Sequence, residues 1–408
     1  MRWERKHLDV VADFCLGKML DQKKNRGDLL PYLANVNVRW GEFDLKDLRE
    51  MRFEHRELDR FGLKYGDIVM CEGGDPGRCA IWKEQIPGMM FQKALHRIRP
   101  RECLNKEFLF YLFLHKGRTG HFSPLFTGAT IKHLPREKLA KVEVEVPPIP
   151  IQERIASILS AYDGLIENNR RRIQLLEKSA RLLYKEWFIH LRFPGHERIP
   201  VTNGVPEGWE RKSLGEVLVY LESGGRPKGG AKEEGIPSIG AENVIGIGQY
   251  DYAKEKYVSE EYFSAMRKGV VRSRDIVVYK DGANIGRSSY FGDGFPHKQC
   301  AVNEHVFTLR AAPEVGQNLL YFWVAQDETR QHIANLNANT AQPGVSQGKM
   351  KTLTFLQPQQ AIARLFNETV EPVVRQIFLL ARENRMLSQA RDLLLPQLMK
   401  GDILSPIV

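Results

Sequence analysis

The sequence predicts an α+β protein: two repeated mixed α/β domains separated by two long, antiparallel coiled-coil helices. Three observations carry this. Most of the chain repeats itself at an offset of 206 to 209 residues. Each copy ends in a heptad pattern of apolar residues. Between those patterns the apolar runs are short, rich in Val, Ile and aromatic residues, and punctuated by Gly, Pro and Asp, as strands are.

The repeat begins with "RWERKHLDVV" at Arg2 and "GWERKSLGEV" at Gly208. At the same offset "LPYLANVNV" meets "IPSIGAENV", pairing Pro31 with Pro237 and Asn37 with Asn243. Further on, "GDIVMCEGGDPGR" meets "RDIVVYKDGANIGR", pairing Asp67 with Asp275, Gly74 with Gly282, Gly77 with Gly286 and Arg78 with Arg287. His96 then falls on His305, and "FLFYLFL" resembles "NLLYFWV". Loop insertions account for the drift in offset. A period of half the chain marks a duplicated domain, not a solenoid of short units.

The first domain is expected over residues 1–147, where Pro147, Pro148 and Pro150 end it, since proline continues neither a ladder nor a helix interior. A helix of some forty residues, roughly 60 Å long, should follow over 148–190. Leu159, Ile166, Ile173, Ala180 and Trp187 recur every seven residues, with Tyr162, Asn169, Leu176 and Leu183 alongside. That is the a/d stripe of a coiled-coil seam. A Pro- and Gly-rich linker (191–206) leads to the second domain, 207–357.

The last segment, 358–408, repeats the heptad with Val373, Leu380, Leu387 and Leu394, flanked by Val370, Ile377, Asn384 and Arg391. Pro372 should start or kink this helix, and Pro396 and Gly401 should end it. The two stripes most simply bury each other; pairing with helices of another chain is the alternative. In the first arrangement each seam carries an Asn, Asn169 and Asn384, which costs stability and fixes register.

Composition excludes several classes. An apolar share of 42% with 27% charged residues describes a globular protein, not a disordered one. No apolar run reaches the ~18–20 residues of a membrane span, and the charged start "MRWERKHLD" lacks a signal-peptide core. The five cysteines include no CxxC pair, which argues against disulfide and zinc frameworks and for a cytoplasmic location. A net charge of +10 favours polyanionic partners without proving them.

No catalytic or metal site emerges. "GRPKGGAK" (225–232) approaches a P-loop, but Ala231 precedes Lys232 and no Ser or Thr follows to hold magnesium, so it reads as a basic loop. "FGDGF" lacks the glycine spacing of an amino-methyltransferase cofactor strand, and no Asp-Pro-Pro or Asn-Pro-Pro accompanies it. "ERK" at Glu4 and Glu210 fits the end of a nuclease motif, without the upstream Pro-Asp. His96 and His305 lack metal-ligand neighbours at the required spacing and read as structural. "NNRRR" (168–172) reads as a solvated helix face, with phosphate contact as the functional alternative.

On these residues the chain resembles the specificity (S) subunits of type I restriction–modification systems. The carriers are "VPEGWERKSLGEV", "DIVVYKDGANIGR", "VPPIPIQERIASILSAYDGLIENNRRRIQLLEKSARLLYKEWF" and "LLLPQLMKGDI". It departs in starting directly at "MRWERK", and in having Gln360 where the first copy has Glu153. The resemblance implies that the repeated domains are target-recognition domains, each reading half of a bipartite site in double-stranded DNA, held apart by the two helices. It implies methyltransferase (M) subunits, two of them, bound to the helices, and motor–nuclease (R) subunits bound to that core. It implies a non-catalytic chain without cofactor, with S-adenosylmethionine, ATP and magnesium on the partners.

Bases are read by Arg, Lys, Asn and Gln at their edges. Candidate DNA contacts are therefore Arg78, Gln92, Lys93 and Lys132 in the first domain, and Lys280, Asn284, Arg287, Lys298 and Gln299 in the second. For Arg78 and Arg287 a shared phosphate contact and a structural salt bridge are equally open. Two rival readings are a single-chain methyltransferase or nuclease with a cryptic site, and a coiled-coil scaffold for protein partners.

Overall fold

The computed structural model describes residues 3–21, 25–336 and 344–402. These fall into two compact units, residues 1–164 with 388–408 and residues 165–387. Each unit thus takes up part of both long helices.

Among the described residues the first unit has nine strands: β1 (Glu4–His7), β2 (Ala12–Leu16), β3 (Asp28–Leu33), β4 (Arg49–Phe53), β5 (Ile68–Cys71), β6 (Cys79–Ile81), β7 (Met90–Phe91), β8 (Leu95–Pro100) and β9 (Glu143–Val146). They form a four-stranded sheet β2-β8-β5-β6, a three-stranded sheet β4-β3-β7 and the pair β1-β9. The run Ile68-Val69-Met70-Cys71 is buried throughout because both faces of its sheet are covered. Ile68 and Met70 join a cluster with the helix Lys106–Arg118. Val69 and Cys71 point the other way, into a cluster with Phe53, Trp82 and Phe91.

The second unit opens with the hairpin β10 (Val201–Thr202) and β11 (Val205–Pro206), followed by β12 (Glu210–Ser213), β13 (Leu218–Ser223), β14 (Ile236–Ile239), β15 (Tyr257–Val258), β16 (Ile276–Tyr279), β17 (Ser288–Tyr290), β18 (Ala301–Val302), β19 (Val306–Ala311) and β20 (Thr354–Gln357). Its sheets are β13-β19-β16-β17, β15-β14-β18 and β12-β20, the same order strand for strand. Even the parallel strand pairing recurs, β3 with β7 and β14 with β18.

The repeat also preserves its anchors. Asp67 accepts a bidentate pair from Arg99 (2.7 and 2.8 Å), and Asp275 one from Arg310 (2.6 and 2.7 Å). Asn37 Oδ1 accepts from Ala34 N while its Nδ2 donates to Asp44 O; Asn243 does the same with Gly240 and Asp251. Gly74 and Gly282 share a left-handed φ (+86° and +79°), as do Gly77 and Gly286 (+90° and +83°), conformations only glycine adopts freely.

These anchors correct one sequence pairing. Aligning Arg99 with Arg310 sets His96 opposite Phe307 and His305 opposite Ala94, so the two histidines are not equivalent. His96 is buried on β8 and hydrogen-bonds the Leu134 carbonyl at 2.9 Å. His305 precedes β19 and contacts Asp281. The offset grows by three residues between the Asp and the Arg of each pair, and shared histidine identity hid that change.

The first long helix is Ile149–Tyr184, closed by a widened π-helical turn at Lys185–Ile189; the second is Gln360–Lys400. Pro372 neither starts nor breaks the second. Burial of Phe366, Val370, Val374 and Ile377 around it, at roughly 1.5–3 kcal/mol per side chain, outweighs the ~3 kcal/mol cost of an interior proline. The helix also runs through Pro396 and stops at Gly401, whose φ of +77° closes a Schellman turn: Gly401 N donates to Leu398 O and Asp402 N to Gln397 O.

In the first unit Ile155, Ala156 and Leu159 share a core with Leu395, Leu398 and Met399, and Arg391 pairs with Asp163. In the second, Tyr184 packs edge-on to Phe366 and Asn169 Nδ2 donates to Glu383 at 3.3 Å, which makes the helices antiparallel there.

Candidate nucleic-acid interface

Of the expected seam residues, Leu159, Ile166, Asn169, Ile173, Ala180, Trp187, Val370, Ile377 and Leu380 are buried. Tyr162, Leu176, Leu183, Val373, Asn384, Leu387, Arg391 and Leu394 are half-buried. The buried face is wider than two heptad positions. Val374, Phe378 and Ala381 are buried too, because the second helix also packs on the sheet domain: Phe378 meets Tyr290 and Phe295. A second apolar stripe faces outward. Leu175, Leu182 and Ile189 on one helix, and Leu379, Met386 and Leu393 on the other, recur every seven residues, and Met386 and Leu393 are 68% and 70% exposed.

The loops at one end of each four-stranded sheet gather most of the polar candidates. In the first unit this end comprises the segment after β2, the β5–β6 turn and the β7–β8 junction. Gly17 lets the first cross the last: a Cβ there would lie 2.3 Å from the Gln92 carbonyl oxygen. Lys93 N donates to Lys18 O, and Glu72 N to Ala94 O. Gln92 and Lys93 are half-exposed at this junction, and Ala94 beyond them holds a strained φ of +89°. Lys132 is exposed beside His133, whose ring contacts Glu72. Lys18 is occupied inside, on Glu57 and the Arg52 carbonyl.

Arg78, on the β5–β6 turn, gives Nη2 to the Asn35 carbonyl at 2.9 Å and Nη1 to Asp75 at 3.3 Å. Its counterpart Arg287 gives Nη2 to the Ala241 carbonyl at 3.0 Å and lies over the Tyr279 ring. Burial, with Arg330 nearby, pushes the Arg287 pKa below the usual arginine value. Both guanidinium groups tie the turn to the short helical turn that follows β3 or β14.

In the second unit, Gly224 crosses the β18–β19 junction with a Cβ position 1.6 Å from the Val302 carbonyl oxygen. Lys280 N donates to His305 O, and its ammonium lies over Phe307. Asn284 is exposed at the tip of the β16–β17 loop. Lys298 and Gln299 do not join this group. Both are exposed, on a loop fastened to the second long helix by Arg382 on the Asp293 carbonyl (2.7 Å) and Arg385 on the Pro296 carbonyl (2.6 Å).

Sequence reasoning missed an ion chain at this end. Arg226 Nε contacts Glu304 Oε1 at 3.1 Å, Glu304 contacts His305 at 3.3 Å, and His305 contacts Asp281 at 2.8 Å. Arg226 comes from the glycine-rich near-P-loop. Glu304 is the structural counterpart of Lys93, a relation visible only once Arg99 and Arg310 align the repeats. Among the described residues no group of His, Cys, Asp and Glu could hold a metal ion, and no helix is long and apolar enough to cross a membrane.

Comparison with known proteins matches residues 37–178 to the family model of the type I restriction modification DNA specificity domain. The chain is 24% identical to the type I restriction enzyme MjaIX specificity subunit of Methanocaldococcus jannaschii, over 98% of this chain and 93% of that one. It is 20% identical to the HindI specificity subunit of Haemophilus influenzae, over 96% and 99%. Among solved structures it shares its fold with the type I restriction–modification S subunit from M. genitalium, with a TM-score of 0.56, 16% identity and coverage of 98% and 96%.

Proposed function

We propose that the chain is a specificity subunit of a type I restriction–modification system, as its likeness to that family supports, and that its parts divide the work of recognising a DNA target. It is a non-catalytic subunit that recognises DNA and assembles with other subunits. Each unit reads one half of a bipartite site through the loops at the end of its four-stranded sheet. The observation that carries this is a duplicated scaffold under divergent tips. The Asp–Arg, Asn and Gly anchors repeat, while Gln92-Lys93-Ala94 in one unit stands where Asn303-Glu304-His305 stands in the other. Shared phosphate contacts position a reader; differing side chains at base edges give two different half-sites.

The outward stripes through Leu182 and Met386 are the docking surface for methyltransferase subunits. Apolar surface recurring at heptad spacing on two helices supports a helical partner on each, hence two methyltransferase subunits. The motor–nuclease subunits join through that core, and S-adenosylmethionine, ATP and magnesium belong to the partners. The test is co-expression with the cognate methyltransferase, followed by mapping of methylated genomic sequences. A split motif is expected. Methylation without a defined motif, or at a single uninterrupted one, contradicts the reading. Leu182→Asp with Met386→Asp should leave the fold intact and lower methyltransferase affinity at least tenfold by calorimetry, through charge placed on an apolar contact.

A further inference from the structure

We infer that the equivalent positions Lys93 and Glu304 are base-reading residues of opposite chemistry. Lys93 donates to the acceptor edge of a guanine in one half-site; Glu304 accepts from the exocyclic amino group of a cytosine or adenine in the other. The inference rests on the two-reader function and specifies it.

Four observations carry it. First, both residues sit at the same junction, between the parallel strand β7 or β18 and the central strand β8 or β19. Second, that junction is fixed from both sides. Glycine crosses it at Gly17 and Gly224, where no Cβ fits. Arg99 and Arg310 clamp the strand beyond it. A rigid backbone bearing a variable tip is what positioning a base contact needs.

Third, the charge inverts between the copies. A residue holding the fold together through its charge would retain its sign, as Asp67 and Asp275 do. Fourth, Glu304 is incompletely used. Oε1 holds Arg226 and His305, while Oε2 has no hydrogen-bond partner among the described residues. A buried carboxylate oxygen left unpaired costs stability. Oε2 has almost no exposed surface of its own, but the side chain as a whole is 39% exposed, so a small rotation of the carboxylate offers an oxygen to a donor from outside. At the major-groove edge the amino group of cytosine or adenine supplies that donor, whereas the keto groups that guanine and thymine present there repel it. Arg226, delivered by the Gly225–Lys232 loop, holds the carboxylate in place.

The experiment uses the assembled methyltransferase complex and a randomised-oligonucleotide binding selection, alongside methylation mapping. Glu304→Gln should lower discrimination roughly tenfold at one base of one half-site and leave the other half-site intact. Lys93→Glu should do the reverse, altering one base of the other half-site. Glu304→Lys should exchange an amino-bearing base for guanine at the position that Glu304→Gln relaxes. Because Glu304→Gln is isosteric, it keeps the test valid if Glu304→Lys fails to assemble. A wild-type motif at full stringency in both Glu304→Gln and Lys93→Glu overturns the assignment, as does weakening spread evenly over all sequences. In either case the wild-type split motif leaves the recognition function standing. A wild-type complex with no defined motif sinks that function and this assignment together.

Discussion

Replacing Asp275 with alanine should damage the second unit more than the same change at Asp67 damages the first. Asp275 is buried and accepts three hydrogen bonds, two from Arg310 and one from Arg272 N at 2.7 Å. Removing it orphans that backbone donor and strands a guanidinium whose side chain is 16% exposed, left with the Val270 carbonyl at 3.1 Å and the face of the Tyr220 ring. Breaking a buried pair costs about 3–5 kcal/mol; with Arg310 reaching some solvent, about 3 is expected. Asp67 has the same set, Arg99 and Lys64 N, but Arg99 is 34% exposed. Screening there brings the loss down to about 2 kcal/mol. Hydrogen exchange on the assembled complex reads each unit separately. Asp275→Ala should accelerate exchange in β16 and β19 by roughly a hundredfold, and Asp67→Ala should accelerate β5 and β8 by roughly thirtyfold. Equal losses, or a larger one at Asp67, would refute the argument that solvent access to the arginine sets the difference.

Gly224→Ala should unfold or displace the second unit, because the new carbon would overlap the Val302 carbonyl; loss of methylation with an altered near-ultraviolet spectrum checks it. Burial holds the His96 pKa below its ordinary 6.5, so the unfolded chain takes up the proton first. The stability His96 supports is complete above pH ~6.5 and falls as the pH drops through the folded value. His96→Phe, which copies Phe307, should therefore flatten the acid side of the melting profile; an unchanged slope between pH 7 and 5 would reject it. Ile377→Asp should separate the helices in the second unit through several kcal/mol of lost burial and an unpaired charge, abolishing methylation without changing its target. Continued methylation at the wild-type rate would show that burial of Ile377 is dispensable.

Long-range features were the legible ones. The duplication announced itself through Asn37 and Asn243, and Asp67 and Asp275, because each pair performs one structural task twice. The heptads were visible because a 36- and a 41-residue helix repeat their period many times. The missing part depended on partners far away in sequence. Arg99 and Arg310 matter through carboxylates more than thirty residues upstream, so their equivalence could not be read locally, and shared histidine identity drew the alignment aside. The same slip concealed Glu304. Pro372 looked like a helix start or kink because local propensity knows nothing of the core around Val370 and Val374. Arg78 and Arg287 illustrate the converse: a repeated cation suggests a repeated ligand, whereas both are engaged with a neighbouring backbone carbonyl.

The closing turns of the second long helix, Leu395, Leu398 and Met399, lie in the core of the first unit, and a Cβ at Gly401 would touch the Trp3 ring at 3.1 Å. A ribosome releases Leu8 through Leu159 early and these residues late, after the entire second unit. The amino-terminal unit therefore waits, with part of its apolar surface uncovered, while the unit synthesised after it already holds all of its own residues. Completion thus runs opposite to chain order: the later unit has all of its residues first, and the earlier one is sealed by the second long helix. Loss of that helical end, by premature termination or proteolysis, would strike the half of the molecule most distant in sequence.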